Sequence, residues 1–170
     1  MATNTELIKE LRKRTGAGIM DCKKTLDETN GDVDHAEILL KEKGIASAAK
    51  KAGRDTDQGL IETYIHSGGR IAAMVEVNCE TDFVARTEEF SKLAHDIAMQ
   101  VAAMDPKAVN IDQSDNEGAS DNENEEGRSL LGQPFIKDPS KSIQDLINET
   151  VGKLGENIRV RRFQRYSLGE

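Results

Sequence analysis

The feature that most constrains the fold is an acidic stretch that contains no basic residue. Between Lys107 and Arg128 the chain carries seven carboxylates and neither Lys nor Arg. The part from Asn110 to Gly127 is rich in Asp, Asn, Glu, Ser and Gly, and it cannot bury enough apolar surface to offset its ordering entropy. We therefore predict a disordered acidic insertion at 110–128, with a lure for a basic partner as the alternative interpretation.

Charge and composition predict that the rest of the chain is globular. Removing the seven carboxylates from the net charge of −8 leaves −1, and the whole chain is 36% hydrophobic and 32% charged. A chain of 170 residues can bury roughly two-thirds of its unfolded surface. No apolar run approaches the ~18 residues of a membrane span, and we expect no secretory signal at the start. These features favour a cytoplasmic protein, either in a bacterium or in an organelle interior, and exclude membrane partners.

The two cysteines, Cys22 and Cys79, cannot provide a disulfide framework. They belong to no CxxC pair and to no Cys/His cluster, so we predict no metal site and no cofactor. Both are interpreted first as small core side chains, with a reactive thiol as the alternative. Neither has the electropositive surroundings that lower a thiol pKa, although Lys23 is adjacent to Cys22.

Residues 1–53 have the pattern of three short helices followed by a connector. Apolar residues recur at helical spacing, Gly16, Gly31 and Gly44 mark the predicted helix ends, and Asp32 fits the N-cap of the third helix. The Ala- and Lys-rich stretch after the third helix is predicted to be a partly helical connector. Such a small helical core is marginal alone, so the module should pack against something else.

Residues 54–109 have the pattern of a β-hairpin followed by an amphipathic helix. Leu60–Ile65 alternates between apolar and polar side chains, a glycine turn follows, and Ile71–Val77 is nearly continuously apolar. The continuous run predicts a strand that is buried on both faces. Thr87 fits the N-cap of the helix, and Pro106 marks its end.

Residues 129–170 are predicted to complete the same core with a helix and a strand. Ser142 fits the N-cap of that helix, and Gly155 marks its predicted end. Strict alternation in the strand Ile158–Tyr166 places Arg162 and Phe163 on opposite faces, with Arg162 on the face of the first residue. The element order β-β-α then α-β predicts an α+β fold, in which a three-helix module precedes a small antiparallel sheet covered by helices.

No catalytic arrangement is visible in the sequence, so we expect a binding protein and not an enzyme. The common nucleotide-binding, metalloprotease and nucleophile motifs are missing, and His35, His66 and His95 fall on three different elements. The C-terminal strand combines four arginines with Phe163 and Tyr166, a pattern that can bind nucleic acid. Because the chain lacks a domain-wide basic surface, we predict instead an edge strand kept soluble by charge, and no direct binding to nucleic acid.

Two short segments allow both a structural and a functional interpretation. Phe83 lies between a strand and a helix, so its ring can pack beneath the sheet or form an exposed aromatic anchor of the kind found at interface hot spots. Ile19 and Met20 follow a glycine-containing turn, so they can close the helical module or present an adaptable apolar patch.

Three long segments resemble signatures of the translation elongation factor Ts family. They are Leu11–Leu26 (LRKRTGAGIMDCKKTL), Glu76–Arg86 (EVNCETDFVAR) and Lys153–Phe163 (KLGENIRVRRF). The resemblance covers the chain apart from the acidic segment. It implies that residues 1–53 adopt a ubiquitin-associated-like three-helix fold that packs on a GTPase domain.

The resemblance also implies the activity of that family, which is guanine-nucleotide exchange on elongation factor Tu during translation elongation. One set of residues is implied to intrude near the Mg²⁺ site of Tu and disturb the metal: Thr81, Asp82, Phe83 and Val84. A second set is implied to lie in the surface that meets the GTPase domain: Arg12, Ile19 and Met20. The alternative is a helical-module adaptor, or a ribosome-associated binding protein, that kept the fold and lost exchange.

The sequence departs from the family pattern in two places. Thr25 stands where the family usually has alanine. The region between Met104 and Leu130 is short, because larger members place a second subdomain and a helical hairpin there, so the chain resembles the short form of the factor. Some short forms dimerise, and the strand Arg159–Tyr166 is the candidate edge for pairing with a second copy in a homodimer.

Overall fold

The computed structural model describes residues 4–110 and 129–170. The predicted acidic insertion at 110–128 lies outside the described residues, apart from Asn110. Its disorder therefore stays a prediction. Within the described ranges, three N-terminal helices precede a β-hairpin, two further helices, a short second hairpin, another helix and a final strand.

The N-terminal module consists of α1 (Asn4–Thr15), α2 (Ile19–Glu28) and α3 (Val33–Lys51). Gly16 and Gly31 follow the first two helices with φ of +67° and +83°, as predicted, because a glycine has no Cβ to strain in this region. The module has a small apolar core. Its buried members are Leu11, Cys22, Leu26 and Ala36.

Helix α3 continues through Gly44, so the predicted helix end at this glycine is wrong. Gly44 lies where α3 crosses α6 (Ile143–Leu154), and a Cβ on Gly152 of α6 would come within 3.4 Å of the Gly44 Cα. The glycine therefore allows two helix backbones to approach closely, at a propensity cost of about 1 kcal/mol relative to alanine. Through this crossing the small N-terminal module packs against the core, which supplies the support that the sequence analysis required.

The core contains a three-stranded antiparallel sheet with the order β1–β2–β5. Its strands are β1 (Gln58–Ile65), β2 (Ile71–Cys79) and β5 (Ile158–Ser167). Helices α5 (Glu88–Met104) and α6 pack on one face, and apolar side chains from the two layers form one continuous core. The arrangement confirms the predicted α+β fold.

The predicted helix caps are present in the core. The Thr87 hydroxyl accepts a hydrogen bond from the backbone N–H of Phe90 at the start of α5. Ser142 and Asp145 form a reciprocal capping box at the start of α6, and Gly155 ends that helix with a φ of +78°. Local sequence signals therefore fixed these helix ends correctly.

The outer face of the sheet is exposed, so the predicted burial of β2 on both faces is wrong. Ala73, Val75 and Val77 point into the core, whereas Met74, on the opposite face, is 44% exposed. Ile61, on the same outer face of β1, is also exposed. The continuous apolar run misled the prediction because hydrophobicity alone does not distinguish a covered sheet face from an open one.

Strand β5 contains a β-bulge, and the predicted alternation fails beyond it. Arg162 pairs with Glu76 and Val160 pairs with Val77, so Arg161 is an extra residue without a cross-strand partner. The extra residue shifts the side-chain alternation by one position. Phe163 therefore packs against the core, and both Arg161 and Arg162 remain exposed.

A second, two-stranded hairpin was not predicted. It consists of β3 (Pro134–Phe135) and β4 (Asp138–Ser142). The fully buried side-chain amide of Gln100 on α5 donates to the Pro134 carbonyl at 3.1 Å and accepts from the Ile136 N–H at 3.0 Å. Because a buried polar side chain holds this hairpin, no hydrophobic alternation in the sequence could reveal it.

Candidate partner-binding surface

The chain leaves β2 through a one-turn helix, α4 (Asp82–Ala85), which Thr81 caps. The Thr81 hydroxyl accepts a hydrogen bond from the backbone N–H of Val84 at 3.4 Å, and the Thr81 carbonyl accepts one from Ala85 at 3.2 Å. A threonine with extended backbone followed by an aspartate in the first turn is a favourable helix start. The local sequence thus turns the chain sharply at the end of the central strand.

The short helix separates Phe83 from Val84, because successive helical residues point about 100° apart. Phe83 is 79% exposed, whereas Val84 is half-buried and packs against the core. Asp82 forms a surface ion pair of 2.8 Å with Arg86. The ring of Phe83 therefore does not pack beneath the sheet, and it is exposed to solvent. We call Thr81, Asp82, Phe83 and Val84 the Phe83 turn.

The last residue of β2, Cys79, lies fully buried beneath the Phe83 turn. Its thiol donates to the Thr81 carbonyl at 3.1 Å, and burial raises its pKa to about 11. Burial also raises the pKa of the Cys22 thiol in the N-terminal module. Both cysteines are therefore buried core residues. Because the thiolate is the reactive form, a raised pKa leaves both thiols with little reactivity near neutral pH.

The second set of predicted residues lies at the junction of α1 and α2. Ile19 and Met20 are the first residues of α2 and are 55% and 73% exposed, and Arg12 is exposed on α1. The module core closes without them, so the interpretation in which they complete it is wrong. We call Arg12, Ile19 and Met20 the module patch.

The two predicted surfaces belong to different parts of the molecule. The Phe83 turn extends from the sheet core, and the module patch lies on the N-terminal helices. Both expose apolar side chains, Phe83 on the turn and Ile19 and Met20 on the patch. A partner must therefore contact two separate parts of the chain to cover both.

One residue behind the Phe83 turn, Glu156, was not predicted from the sequence. Glu156 accepts hydrogen bonds from the backbone N–H and the hydroxyl of Thr81 at 2.9 Å and 2.6 Å. The two residues are 75 positions apart in the chain. The only sequence signal was the position of Glu156 inside the third signature segment, Lys153–Phe163.

A cleft of about 800 Å³ lies beside the helix crossing and is lined by α1, α2 and α3 of the module and by α6 and β4 of the core. Its walls carry charges of both signs, and several of these form ion pairs, such as Arg14 with Asp34 at 2.7 Å and Lys141 with Glu149 at 2.8 Å. Mixed and paired charges of this kind are expected at a solvated joint between two structural units.

The described residues contain no group of three or more His, Cys, Asp or Glu side chains placed to hold a metal ion. Across the same residues, no helix combines the length and apolar character that crossing a bilayer requires.

Comparison with known proteins agrees with the resemblance of the three signature segments. The family model "Elongation factor TS" matches residues 44–126. The elongation factor Ts of Thermoanaerobacter sp. (strain X514) is 49% identical over 98% of this chain and 95% of its own length. The elongation factor Ts of Carboxydothermus hydrogenoformans is 49% identical over 98% of this chain and 89% of its own length.

A third relative, the elongation factor Ts of Herpetosiphon aurantiacus, is 48% identical over 99% of each chain. The alignment with the Thermoanaerobacter protein extends over 194 positions, whereas this chain has 170 residues. That relative therefore carries insertions that this chain lacks. Identity at this level over nearly the whole chain shows that the protein belongs to the elongation factor Ts family.

Proposed function

We propose that the protein is a guanine-nucleotide exchange factor that releases GDP from elongation factor Tu during translation elongation. The exposure of Phe83 carries the proposal. An aromatic ring that is 79% exposed on a capped turn at the end of a buried strand has the form of an interface anchor. Family membership supplies the partner, since exchange on Tu is the activity that the family resemblance implies.

In this mechanism the Phe83 ring inserts near the Mg²⁺ site of Tu. The Mg²⁺ belongs to Tu and bridges the nucleotide phosphates to that protein, so its displacement weakens GDP binding. No bond forms or breaks, and the factor acts as a binding protein and not as an enzyme. We place this activity where Tu works, in the bacterial cytoplasm or an organelle interior.

The ring cannot provide the whole effect. A nucleotide bound with about nanomolar affinity leaves on the order of once per 10³ s, so tens of releases per second require a roughly 10⁴-fold acceleration, or about 5.5 kcal/mol. Burying one phenylalanine provides only about 2–3 kcal/mol. The remainder must come from the lost Mg²⁺ contacts and from the module patch, where Met20 and Ile19 offer adaptable apolar area to the GTPase domain.

The coupling between the factor and GDP is reciprocal. An exchange protein that weakens GDP binding to Tu must itself bind Tu·GDP more weakly than nucleotide-free Tu. At equilibrium the two affinities fall by the same ratio. Free nucleotide should therefore dissociate the complex between the factor and nucleotide-free Tu. This behaviour separates an exchange factor from an adaptor, whose affinity for Tu has no reason to depend on the nucleotide.

A homodimer remains part of the proposal. Strand β5 is an edge of the sheet, and the neighbouring outer face exposes Ile61, Met74 and Tyr166. Open apolar area beside an unpaired edge favours contact with a second copy. Sedimentation of the free protein, compared with its mixture with Tu, measures the oligomeric state in both conditions.

The decisive experiment measures release of labelled GDP from Tu in the presence of excess unlabelled nucleotide. The wild-type protein should accelerate release, and Phe83→Ala should slow the factor-dependent rate by at least tenfold while the fold is retained. Met104→Ala is the matched control, because Met104 is also an exposed apolar residue and lies at the end of α5, away from the Phe83 turn in the sequence. Release at the wild-type rate by the Phe83 variant would exclude the insertion mechanism. A wild-type protein that binds Tu without accelerating release would establish the adaptor alternative.

A further inference from the structure

A network of hydrogen bonds behind the Phe83 turn joins segments that are far apart in the sequence. The carboxylate of Glu156, in the loop between α6 and β5, accepts from the backbone N–H groups of Glu80 and Thr81 at 3.1 Å and 2.9 Å. Its other oxygen accepts from the Thr81 hydroxyl at 2.6 Å. One side chain thus holds both residues that connect β2 to α4.

The connection is reciprocal. The Glu80 carboxylate accepts from the backbone N–H of Asn157 at 2.7 Å, so each loop supplies a carboxylate to the backbone of the other. The buried side-chain amide of Asn157 donates to the carbonyls of Ala52 and Arg54, just after α3, at 3.3 Å and 2.9 Å. The network therefore ties the end of the N-terminal module, the Phe83 turn and the start of β5 into one joint.

Charge-assisted hydrogen bonds to backbone N–H groups are among the stronger polar contacts in proteins. Here they also determine the orientation of the helix cap. The Thr81 hydroxyl donates a hydrogen bond to Glu156, which leaves the lone pairs of its oxygen free to accept from the Val84 N–H. The carboxylate thus acts through the threonine on the first turn of α4.

Phe83 depends on this support because its own ring has few packing neighbours. At 79% exposure the ring receives little direction from contacts within the chain. Its position relative to the core is set by the backbone of α4, and that backbone is set by Thr81 and Glu156. A ring held in advance in its binding orientation loses less conformational freedom when it enters a partner.

We propose that Glu156 is a positioning residue that holds Phe83 in the orientation required for nucleotide exchange. The inference rests on the proposed function, and it assigns Glu156 no contact with Tu. Removal of the Glu156 carboxylate leaves the Phe83 side chain unchanged but loosens the turn that carries it. Misplacement of a reacting or inserting group by about 1 Å can cost up to about 10²-fold in rate.

The first measurement is the maximal GDP release rate at saturating factor. Glu156→Ala should lower it about tenfold, and Glu156→Gln, which keeps the side-chain size and one acceptor oxygen, should lower it less. The control is Glu149→Ala on α6, since the Glu149 carboxylate bonds to Lys141 on β4 and is not part of the network behind the turn. This control should release GDP at the wild-type rate.

The second measurement repeats Glu156→Ala in the Phe83→Ala background. If Glu156 acts through the ring, the double variant should be no slower than Phe83→Ala alone. A role in general stability would instead slow both backgrounds by the same factor. An equal effect in the two backgrounds would overturn the inference.

The third measurement does not depend on Tu. Amide hydrogen exchange of the free protein should become faster at residues 80–85 in Glu156→Ala and remain unchanged in the strands and in Glu149→Ala. Unchanged protection at 80–85 would overturn the inference. If Phe83→Ala alone left GDP release at the wild-type rate, the insertion mechanism would fail, and with it the role of Glu156 in exchange; hydrogen exchange would still decide whether Glu156 holds the turn. If the wild-type protein itself did not accelerate release, the proposed function would fail.

Discussion

The Phe83 turn and the module patch both expose apolar side chains, but the hydrophobic cores that support them differ in size. The turn extends from a core in which eighteen hydrophobic residues of the described chain are buried, and Glu156 holds it from behind. The patch stands on a module with four buried hydrophobic residues among those described. Helix α2, which carries Ile19 and Met20 of the patch, has Gly18 as its N-cap and no side-chain capping hydrogen bond.

The difference indicates a division of roles between the two surfaces. A turn fixed by hydrogen bonds from a distant loop suits the insertion of one ring at a defined position. A patch that begins at a glycine turn and contains a methionine can adapt to the surface of a partner. The orientation of the patch depends on how α3 packs against α6, so the two surfaces are linked through the Gly44–Gly152 crossing.

The largest expected effect is the loss of stability when a substitution creates a cavity in the core of the module. Leu11→Ala removes a fully buried side chain from a core of few members, and such changes cost about 2.7–5.0 kcal/mol. We expect the module to unfold at a lower denaturant concentration than the sheet core. Two-probe denaturation, with one probe in α1 and one in β2, measures the separation. Coincident transitions for both probes would show that the module and the sheet core unfold as one cooperative unit.

The second prediction separates the module from the core at the helix crossing. Gly152→Leu places a large side chain where even a Cβ would lie 3.4 Å from the Gly44 Cα. Overpacking of this kind costs about 1–3 kcal/mol, and it should displace α3 and with it the module patch. The affinity for nucleotide-free Tu, measured by calorimetry, should fall.

Gly152→Ala is the matched control for this crossing. A single methyl group at 3.4 Å from the facing Cα requires only a small shift. We expect affinity for Tu close to wild type. Equal losses for alanine and leucine would mean that the crossing does not set the position of the patch.

The third prediction measures the contribution of the adaptable surface. Met20→Ala removes an exposed side chain, so the free energy of unfolding should stay within about 0.5 kcal/mol of wild type. Affinity for Tu should fall about tenfold, or about 1.4 kcal/mol, because an apolar anchor is lost from the interface. Met104→Ala, also exposed, should bind Tu as wild type does. Wild-type affinity of the Met20 variant would remove this residue from the interface.

The last prediction changes nothing near neutral pH and concerns the strand beneath the Phe83 turn at alkaline pH. Burial raises the pKa of Cys79 from 9.0 to about 11, so the folded state keeps the proton that the unfolded state loses. Stability from this group is complete below about pH 9 and is lost as the pH rises through about 11, with a loss of less than about 1 kcal/mol at pH 9.

Urea denaturation at several alkaline pH values tests this prediction, with Cys79→Ala as the reference that lacks the thiol. The free energy of unfolding of the wild type should fall more steeply between about pH 9 and about pH 11 than that of the variant. Parallel curves for the two proteins would contradict the assigned origin of the shift.

The parts of the fold that depend on local chemistry were predicted well. Thr87 and Ser142 cap their helices, and Gly16, Gly31 and Gly155 end theirs, because capping hydrogen bonds and positive φ angles are properties of neighbouring residues. The three signature segments were sufficient to indicate the family. The candidate surfaces were also named from the sequence, although whether each would be buried or exposed was left open.

The errors arose where a residue serves a contact with a distant part of the chain. Gly44 carries a helix-ending signal, but its partner Gly152 lies on another helix, and only their packing shows the glycine's use. The bulge at Arg161 appears only in the register between β5 and β2. In the same way, nothing adjacent to Glu156 in the sequence indicates that it holds Thr81.

The sequence alone determined most of the helices and strands, the caps at Thr87 and Ser142, the family and the residues expected to meet a partner, because each is encoded within one short segment. Only the tertiary structure decided that Phe83 is exposed, that one face of the sheet is open, and that Glu156 supports the turn. The physical reason is that burial and hydrogen-bond partnership across 75 positions depend on which surfaces meet after the chain folds. Local propensities do not specify these long-range contacts.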